Sequence, residues 1–393
     1  MMIDASGKPY TQKRKKMKIG IFGGTFDPVH REHIALAKCA VEFLRLDKLI
    51  VMPAAIPPHK QNKKIASGES RLEMCRLAFT EEKEEVSDWE LRQQDTSFSF
   101  YTCRYLHTVY PDDELFFLMG TDMFDCFDSW RNPQDIVKNV TLAVCLREKP
   151  LDYYRDKHDD FIRKYGTDFV EFPFVGKKVS STNLRTVAAL GGDLTAWTSP
   201  AVANYIKERR LYESEVLIKA LSLEKPSRRE HSVRVAILAV EMAKKYGVSE
   251  EKALVASAMH DCAKNLSPDS PYLKGFVPPE DCPPPVLHQY QGAYVAEHTF
   301  EIYDPEILDA IRYHTSGRPC MRNLEKLVFL ADMLESGRDY PGVDELREIF
   351  KRDLDECLTV CLKRQLAHLK EVGGKIYPLT EQTYEWCKRL NAQ

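Results

Sequence analysis

The hydrophobic period of this chain changes once, and that change decides what it can fold into. From Lys18 to about Leu146, short apolar runs alternate with stretches of helical spacing; after Leu211-Tyr212 only helical spacing remains. In the first part, Lys18–Phe22, Lys48–Met52, Leu115–Met119 and Val140–Leu146 read as strands, with helices near 31–44, 69–80 and 100–109. Strands alternating with helices of this length predict a doubly wound parallel sheet. The ligand crevice of such a sheet lies outside the carboxyl ends of its strands. In the second part, segments near 231–246, 249–264, 286–300, 304–314, 323–335, 343–366 and 378–391 have helical periodicity. The predicted architecture is an α/β doubly wound domain over 17–212 and an all-α domain over 213–393, behind a polar basic leader at 1–16. The stretch from Ser267 to Pro285 carries too much proline for a helix and reads as a loop bordering a site.

At 393 residues, 44% hydrophobic and 29% charged, the chain can give each half its own core. A net charge of −3 gives no general attraction to nucleic acid or an anionic membrane, and no stretch reaches the length of a membrane span. Lys13-Arg14-Lys15-Lys16 reads as a solvated tail. The 11 cysteines are scattered without CxxC pairs, which fits reduced thiols in a cytoplasm better than a disulfide framework.

Gly23-Gly24-Thr25-Phe26-Asp27-Pro28-Val29-His30-Arg31-Glu32-His33 joins the first strand to the first helix. Without side chains at Gly23 and Gly24, the backbone can approach a polyphosphate and aim its N–H groups at it. The following helix adds the positive end of its dipole. His30 and His33, three apart at a helix start, share a face and can touch one anionic group. A second such segment is Val179-Ser180-Ser181-Thr182-Asn183-Leu184-Arg185. Alone its hydroxyls would be caps; with Arg185 it can also bind phosphate.

The second half carries His231, His260-Asp261, His288, His314 and Asp332. Imidazole and carboxylate suit divalent metals such as Fe, Mn, Ni or Zn. Singly, His288 reads as a helix cap and His314 as a helix end. Asp332 in Phe329-Leu330-Ala331-Asp332 is a carboxylate in an apolar run, costly unless paired or bound to metal. A two-metal centre can activate water and clamp a phosphoryl group.

These two sets resemble two families. Residues 17–212 resemble the bacterial nicotinate mononucleotide adenylyltransferases, whose pattern is GGTFDPxHxGH followed by SSTxxR. Between the two motifs stand Pro57-Pro58-His59-Lys60, Arg71, Gly120-Thr121-Asp122, Trp130 and Arg147 in the family's order. The resemblance implies adenylyl transfer from ATP to nicotinate mononucleotide with Mg²⁺ accompanying the ATP. It implies that His30, His33, Lys60 and Arg185 stabilise charge on the transferring group. Gly23, Gly24, Thr25, Phe26, Asp27, Gly120, Asp122, Trp130, Arg147, Ser180, Ser181 and Thr182 would then contact nucleotide. The family has glycine where this chain has Glu32, and an acidic residue where it has Tyr101.

Residues 213–393 resemble the HD superfamily of metal-dependent phosphohydrolases, and within it the bacterial symmetrical diadenosine tetraphosphate hydrolases. The matching stretches are Arg229-Glu230-His231-Ser232, His260-Asp261-Cys262-Ala263-Lys264, Leu287-His288, Ile311-Arg312-Tyr313-His314-Thr315 and Ala331-Asp332 through Gly337-Arg338. This resemblance implies a metal pair, iron ahead of manganese, held by His231, His260, Asp261, His288, His314 and Asp332. It implies water attack on an inner phosphate to give two ADP. Lys264 and Arg338 are candidates for neutralising phosphate charge. Together the resemblances imply a Rossmann-like nucleotidyltransferase domain followed by an HD domain, both acting on small nucleotides and compatible with homo-oligomers. Glu32 motivates the competing reading, a nucleotide-sensing first half regulating a hydrolase of another nucleotide, such as a guanosine alarmone or a nucleoside triphosphate.

Overall fold

The computed structural model describes residues 14–55, 65–93, 97–146, 154–176 and 179–390. Packing divides the chain into two compact units. One runs up to Ser181 and takes in Thr195–Tyr205; the other comprises Thr182–Leu194 and the residues from Ile206 onward.

The first unit is built on six parallel strands, β1 (Lys18–Gly24), β2 (Lys48–Pro53), β3 (Glu84–Val86), β4 (Glu114–Gly120), β5 (Thr141–Leu146) and β6 (Val170–Pro173), in the order β3-β2-β1-β4-β5-β6. Its helices are α1 (Arg31–Phe43), α2 (Gly68–Ala78), α3 (Trp89–Gln93), α4 (Ser99–Val109), α5 (Thr121–Asp125), α6 (Pro133–Asn139) and α7 (Arg155–Tyr165). Strand β1 is central: Ile21 lies opposite Ile50 of β2 and Phe117 of β4, and all three side chains are buried. Burial on both faces is why this strand reads as a continuous apolar run. Strand order reverses between β1 and β4, which opens a crevice beyond their carboxyl ends. Strands β3 and β6 escape the sequence reading because Glu84-Glu85-Val86 and Val170-Glu171-Phe172-Pro173 carry too few apolar residues for a buried run.

Helices α8 (Ser181–Ala189) and α9 (Pro200–Glu208) follow, and the helical unit continues with α10 (Glu215–Ser222), α11 (Pro226–Ala243), α12 (Glu250–Met259), α13 (Pro284–His298), α14 (Pro305–Arg312), α15 (Asn323–Leu334), α16 (Val343–Arg352), α17 (Leu354–Glu371) and α18 (Pro378–Leu390). Its described residues form no strand. Helix α15 is buried along nearly its whole length, enclosing Glu325 and Lys326 together with the apolar run Leu327–Ala331, and packs within the core of the unit. The stretch read as one helix over 343–366 breaks at Asp353, whose carboxylate accepts from Asp355 N and Glu356 N, both at 2.9 Å. That cap starts α17 afresh.

The packing boundary differs from the change of period near Tyr212. Leu190 belongs to the core of the helical unit, Ser214 N donates to Ala189 O at 3.1 Å, and Asn183 Nδ2 donates to Glu241 Oε1 on α11 at 2.6 Å. Gly191, at φ 69°, brings the chain against Ile218 in a conformation that favours glycine. These contacts take 182–194 into the helical unit, which periodicity cannot register.

Candidate active sites

The Gly23–His33 segment leaves the carboxyl end of β1 and enters α1. A Cβ on Gly24 would lie 3.0 Å from the ring of Phe26, so a side chain there would have to push that ring aside by a few tenths of an ångström. Phe26 takes φ 49° and packs edge-on against Phe22 at 5.3 Å and His33 at 5.1 Å. His30 is the N-cap of α1: its Nδ1 accepts from His33 N at 3.4 Å, and Nδ1 of His33 accepts from His30 N at 3.2 Å. The rings stack at 3.6 Å. With both Nδ1 atoms accepting, the neutral tautomers carry their protons on Nε2, where they can donate to an anion.

Arg71 locks this loop in place. Its fully buried guanidinium donates to Thr25 O at 2.8 Å, Ala55 O at 3.1 Å and Ala66 O at 3.1 Å. Asp27 Oδ1 accepts from Ala66 N at 3.1 Å, so this carboxylate, expected beside nucleotide, is buried in the loop framework. Arg31 donates to the carbonyls of Thr195 and Thr198, and Thr198 Oγ1 donates to Val29 O at 2.9 Å. Ser181 Oγ donates to Pro28 O at 2.9 Å, which ties the second hydroxyl segment to the first loop. Ser180 is exposed. Thr182 and Arg185 belong to the helical unit, where Arg185 Nη2 donates to Thr182 Oγ1 at 3.1 Å.

Gly120 ends β4 and Asp122 is exposed in α5; an added Cβ at Gly120 would meet nothing, so packing does not demand that glycine. Trp130 packs on Phe117 and Phe127, and Arg131 lies 4.6 Å over the Phe98 ring. Tyr101 is 46% exposed and lines a cavity of about 410 Å³ with Trp89, Glu90 and Tyr105. Lys60 and Arg147 lie outside the described residues.

In the helical unit, His231 projects from α11, His260 and Asp261 follow the end of α12, His288 lies within α13, His314 follows α14 and Asp332 sits in α15. His288 is therefore no cap; it is mid-helix and buried. All six side chains converge. His231 Nε2 is 2.9 Å from Asp332 Oδ1, and His260 Nε2 lies 3.5 Å from Asp261 Oδ2 and 3.9 Å from Asp332 Oδ1. Asp261 Oδ1 is 3.3 Å from His288 Nε2 and 3.5 Å from His314 Nε2, and the last two nitrogens are 3.1 Å apart. Two overlapping donor triads result, His231/His260/Asp332 and His260/Asp261/His314, each with its atoms within 4.8 Å of one another.

The Nε2 atoms of His231 and His260 are buried without a hydrogen-bond partner. For His231 this holds although Asp332 Oδ1 is 2.9 Å away, because the contact lacks hydrogen-bond geometry. The opposite ring nitrogens are anchored: His260 Nδ1 to Ser257 O at 2.6 Å, His314 Nδ1 to Ile311 O at 2.8 Å, and His231 Nδ1 to Glu335 Oε1 at 3.0 Å. Anchoring Nδ1 leaves a lone pair on Nε2 facing the cluster, which is how a protein orients imidazoles toward a metal. A divalent cation fits these donors; unfilled, they are buried polar atoms at a cost.

Burial pushes His260 down to about 4 and His288 down to about 3, so both imidazoles are neutral and able to bind a cation. Burial would raise Asp261, but the adjacent imidazoles and Lys264 hold its carboxyl well below the usual range. Asp332 is lowered too: burial opposes this, and the His231 and His260 rings outweigh it.

Lys264 Nζ reaches Asp261 at 3.1 Å, and Arg338 Nη2 reaches Asp332 Oδ1 at 2.6 Å. The sequence reading missed Arg228, whose Nη1 lies 3.1 Å from Asp261 Oδ2. Its signal was present: three residues before His231 on a helix, it shares that residue's face. Glu335 was also missed as a partner of His231. It joins Arg234 Nε at 2.6 Å to the His231 ring. Gln289, one residue past His288, accepts from Thr315 N and Ser316 N at 3.1 Å and so fixes the turn that bears His314.

Among the described residues, no helix is long and apolar enough to cross a membrane. Residues 21–187 match the Cytidylyltransferase-like family and residues 228–337 the HD domain family. A probable nicotinate-nucleotide adenylyltransferase/Ap4A hydrolase of Mycoplasma genitalium is 31% identical over 360 residues, 88% of this chain and 97% of that protein. A probable nicotinate-nucleotide adenylyltransferase of Shouchella clausii is 36% identical over 196 residues, 50% of this chain and 96% of the relative. The symmetrical bis(5'-nucleosyl)-tetraphosphatase of Bacillus subtilis is 37% identical over 163 residues, 40% of this chain and 87% of that enzyme. The chain thus belongs to the family in which a nicotinate-nucleotide adenylyltransferase and an Ap4A hydrolase are fused in one polypeptide.

Proposed function

We propose that the chain is bifunctional, joining ATP to nicotinate mononucleotide at one site and splitting diadenosine tetraphosphate into two ADP at the other. The observation that carries the hydrolase half is His260 shared between two triads of buried donors. Six ligands of two types around one centre suit a pair of divalent cations, iron ahead of manganese. His231, His260 and Asp332 would hold one, and His288 and His314 the other, with the two carboxylate oxygens of Asp261 facing the two sets. When bound, such a pair lowers the pKa of water and stabilises negative charge on phosphoryl oxygens. The protein supplies the rest. Arg228, Lys264 and Arg338 bring positive charge to the rim of the cluster for a polyphosphate. The buried helices keep the donors dry, so their charge acts in a low dielectric.

At the sheet unit, an oxygen of the mononucleotide phosphate attacks the α-phosphorus of ATP. The α–β bridging bond breaks, and pyrophosphate leaves with the electron pair. His30 and His33 donate from Nε2 to the transferring and leaving phosphates, with the α1 N-terminus behind them. Mg²⁺ accompanies the nucleotide. No protein nucleophile is needed, because positioning and charge supply the acceleration. Lys60, Arg147, Ser180, Thr182 and Arg185 are assigned to phosphate contacts on their motifs.

The test runs both reactions on one preparation. Metal-loaded protein should convert diadenosine tetraphosphate to ADP as sole product on anion exchange. The same protein should release pyrophosphate from ATP only when nicotinate mononucleotide is present. Products of ATP plus AMP would reject symmetrical cleavage, and pyrophosphate release without the acceptor would reject adenylyl transfer.

A further inference from the structure

Glu32 departs from the family's glycine, and the structure gives it an unusual environment. It is the second residue of α1 and only 9% exposed. Among the described residues, no hydrogen bond or ion pair reaches its carboxylate. The side chain is enclosed while its carboxylate oxygens are not sealed from solvent, so they are open to a ligand's donor. Its position is also specific: Oε2 stands where a Cβ on Gly176 would be, so the side chain occupies space that glycine at 176 leaves open. Gly176 follows β6 by three residues, and Glu32 follows the β1 loop. Both therefore lie at the carboxyl edge of the sheet, where a nucleotide is bound in this architecture.

A carboxylate repels phosphate and accepts hydrogen bonds from neutral donors. On a nucleoside triphosphate those donors are the exocyclic amino group of the base and the ribose hydroxyls. Glu32 lies two residues after His30 and one before His33, and 100° per residue turns it onto a different face from both. The histidines can thus take phosphate while Glu32 takes the uncharged end of the same ligand. We propose that Glu32 is a specificity residue that accepts a hydrogen bond from the nucleoside part of ATP, in the space Gly176 leaves. The proposal rests on the adenylyl-transfer reading of the sheet unit.

The test measures dissociation constants by calorimetry on the full chain. The ligands are ATP, 2'-deoxy-ATP, 3'-deoxy-ATP and the triphosphate of purine riboside, which lacks the amino group. The native protein should bind one of the three analogues about tenfold more weakly than ATP, the weight of one hydrogen bond to a charged group. The analogue that loses affinity identifies the donor. Glu32→Gly should bring that ratio to within about twofold, and Glu32→Gln should keep part of it, because the amide oxygen still accepts. Gly176→Ala should displace the Glu32 carboxylate and weaken ATP binding, and Glu32→Gly in the same chain should cause no further loss. An unchanged ratio in Glu32→Gly, or equal binding of all four ligands by the native chain, overturns the proposal; the carboxylate would then serve the chain itself, with Lys177 and Lys178 next to Gly176 in sequence. Dinucleotide formation from ATP and nicotinate mononucleotide is assayed alongside. Transfer with no change in the ratio sinks the role of Glu32 alone. A ratio that collapses in a chain unable to transfer sinks the transfer reading alone. Intact diadenosine tetraphosphate hydrolysis in every variant shows that the chain is folded.

Discussion

The two sites solve opposite problems. In the sheet unit the cradle is a shaped loop whose polar groups already hold one another: His30 and His33 cap each other's backbone, and Arg71 binds three loop carbonyls. In the helical unit the cluster is left unsatisfied, with imidazole nitrogens and carboxylate oxygens crowded together and two Nε2 atoms without hydrogen bonds. The first site is pre-organised without its ligand. The second gathers buried lone pairs into one place, where a divalent cation fits them. Phosphate recognition by backbone and ring N–H groups therefore needs a rigid loop, whereas gathering metal ligands needs helices that bring imidazoles and carboxylates together in their interior.

The sharpest way to break this comparison is to disable each site singly. Asp261→Ala removes the carboxylate that touches His288, His314, Lys264 and Arg228. It should lower diadenosine tetraphosphate hydrolysis by on the order of 10³-fold or more and leave adenylyl transfer near its native rate. His30→Ala should do the reverse, costing transfer on the order of 10²-fold while hydrolysis persists. Product analysis of both reactions on both variants decides it. A folded variant that loses both activities would show the sites to be interdependent.

Arg71→Met tests the pre-organised side. It removes the partner of three partly buried carbonyls, and each group left unsatisfied away from water costs about 1–3 kcal/mol. The first unit should melt at lower temperature and transfer should fall, with hydrolysis unaffected. Calorimetry resolving two transitions, read beside the two assays, would show this; a loss confined to the second transition would contradict it.

Glu335→Gln tests the unsatisfied side. Glu335 is buried, bonded to the His231 ring and held by Arg234, while Gly337 has no side chain to displace the Arg234 guanidinium, which lies 2.6 Å from the position of an added Cβ. Weakening such a partner costs about 10–100-fold in metal affinity. Titration of metal-free protein with Mn²⁺ should show that loss at the tighter site. Equal affinity would mean that Glu335 anchors Arg234 and not the imidazole.

Much of this organisation was legible beforehand, and the gaps have physical causes. Strands buried on both faces, such as Ile19–Phe22, announce themselves by composition. Within helix α15 the run Leu327–Ala331 likewise reads as apolar up to Asp332. Short edge strands β3 and β6 bury too little to leave a pattern. Helix α10 hides in Glu215–Ser222, which lies in the stretch between the two periodic regions. Residues that act through other residues were the hardest to see. Arg71, Arg228, Glu335 and Gln289 are polar side chains on helices, where a solvated surface role is the default reading, and only packing shows them turned inward. The membership of 182–194 in the helical unit depends on contacts made by Leu190 and Asn183, and no local spacing encodes it.

The smallest predicted effect concerns Glu224, a buried acid at the edge of the helical unit's site. Ser232 Oγ lies 2.9 and 3.1 Å from its two oxygens. Burial pushes this carboxyl up to about 8; Ser232, Arg228 and Arg229 pull it down, while Asp261 adds to the rise. In the unfolded chain a glutamate titrates near 4.3. Between those values the folded state holds a proton that the unfolded state has released. Stability from this group is therefore full below about pH 4.3 and is lost as pH rises toward 8. Glu224→Gln fixes the neutral state and removes that slope. Relative to the native chain, the variant should gain on the order of 1–2 kcal/mol between pH 5 and pH 8, a few degrees in the melting temperature of the helical unit. Paired melting curves at constant salt would reveal it. A difference that stays flat with pH would mean that Glu224 is ionised in the folded protein, with Arg228 divided between it and Asp261. In that case the arginine would be only partly available to a polyphosphate, and Glu224→Gln should then strengthen substrate binding at pH 8 without altering stability.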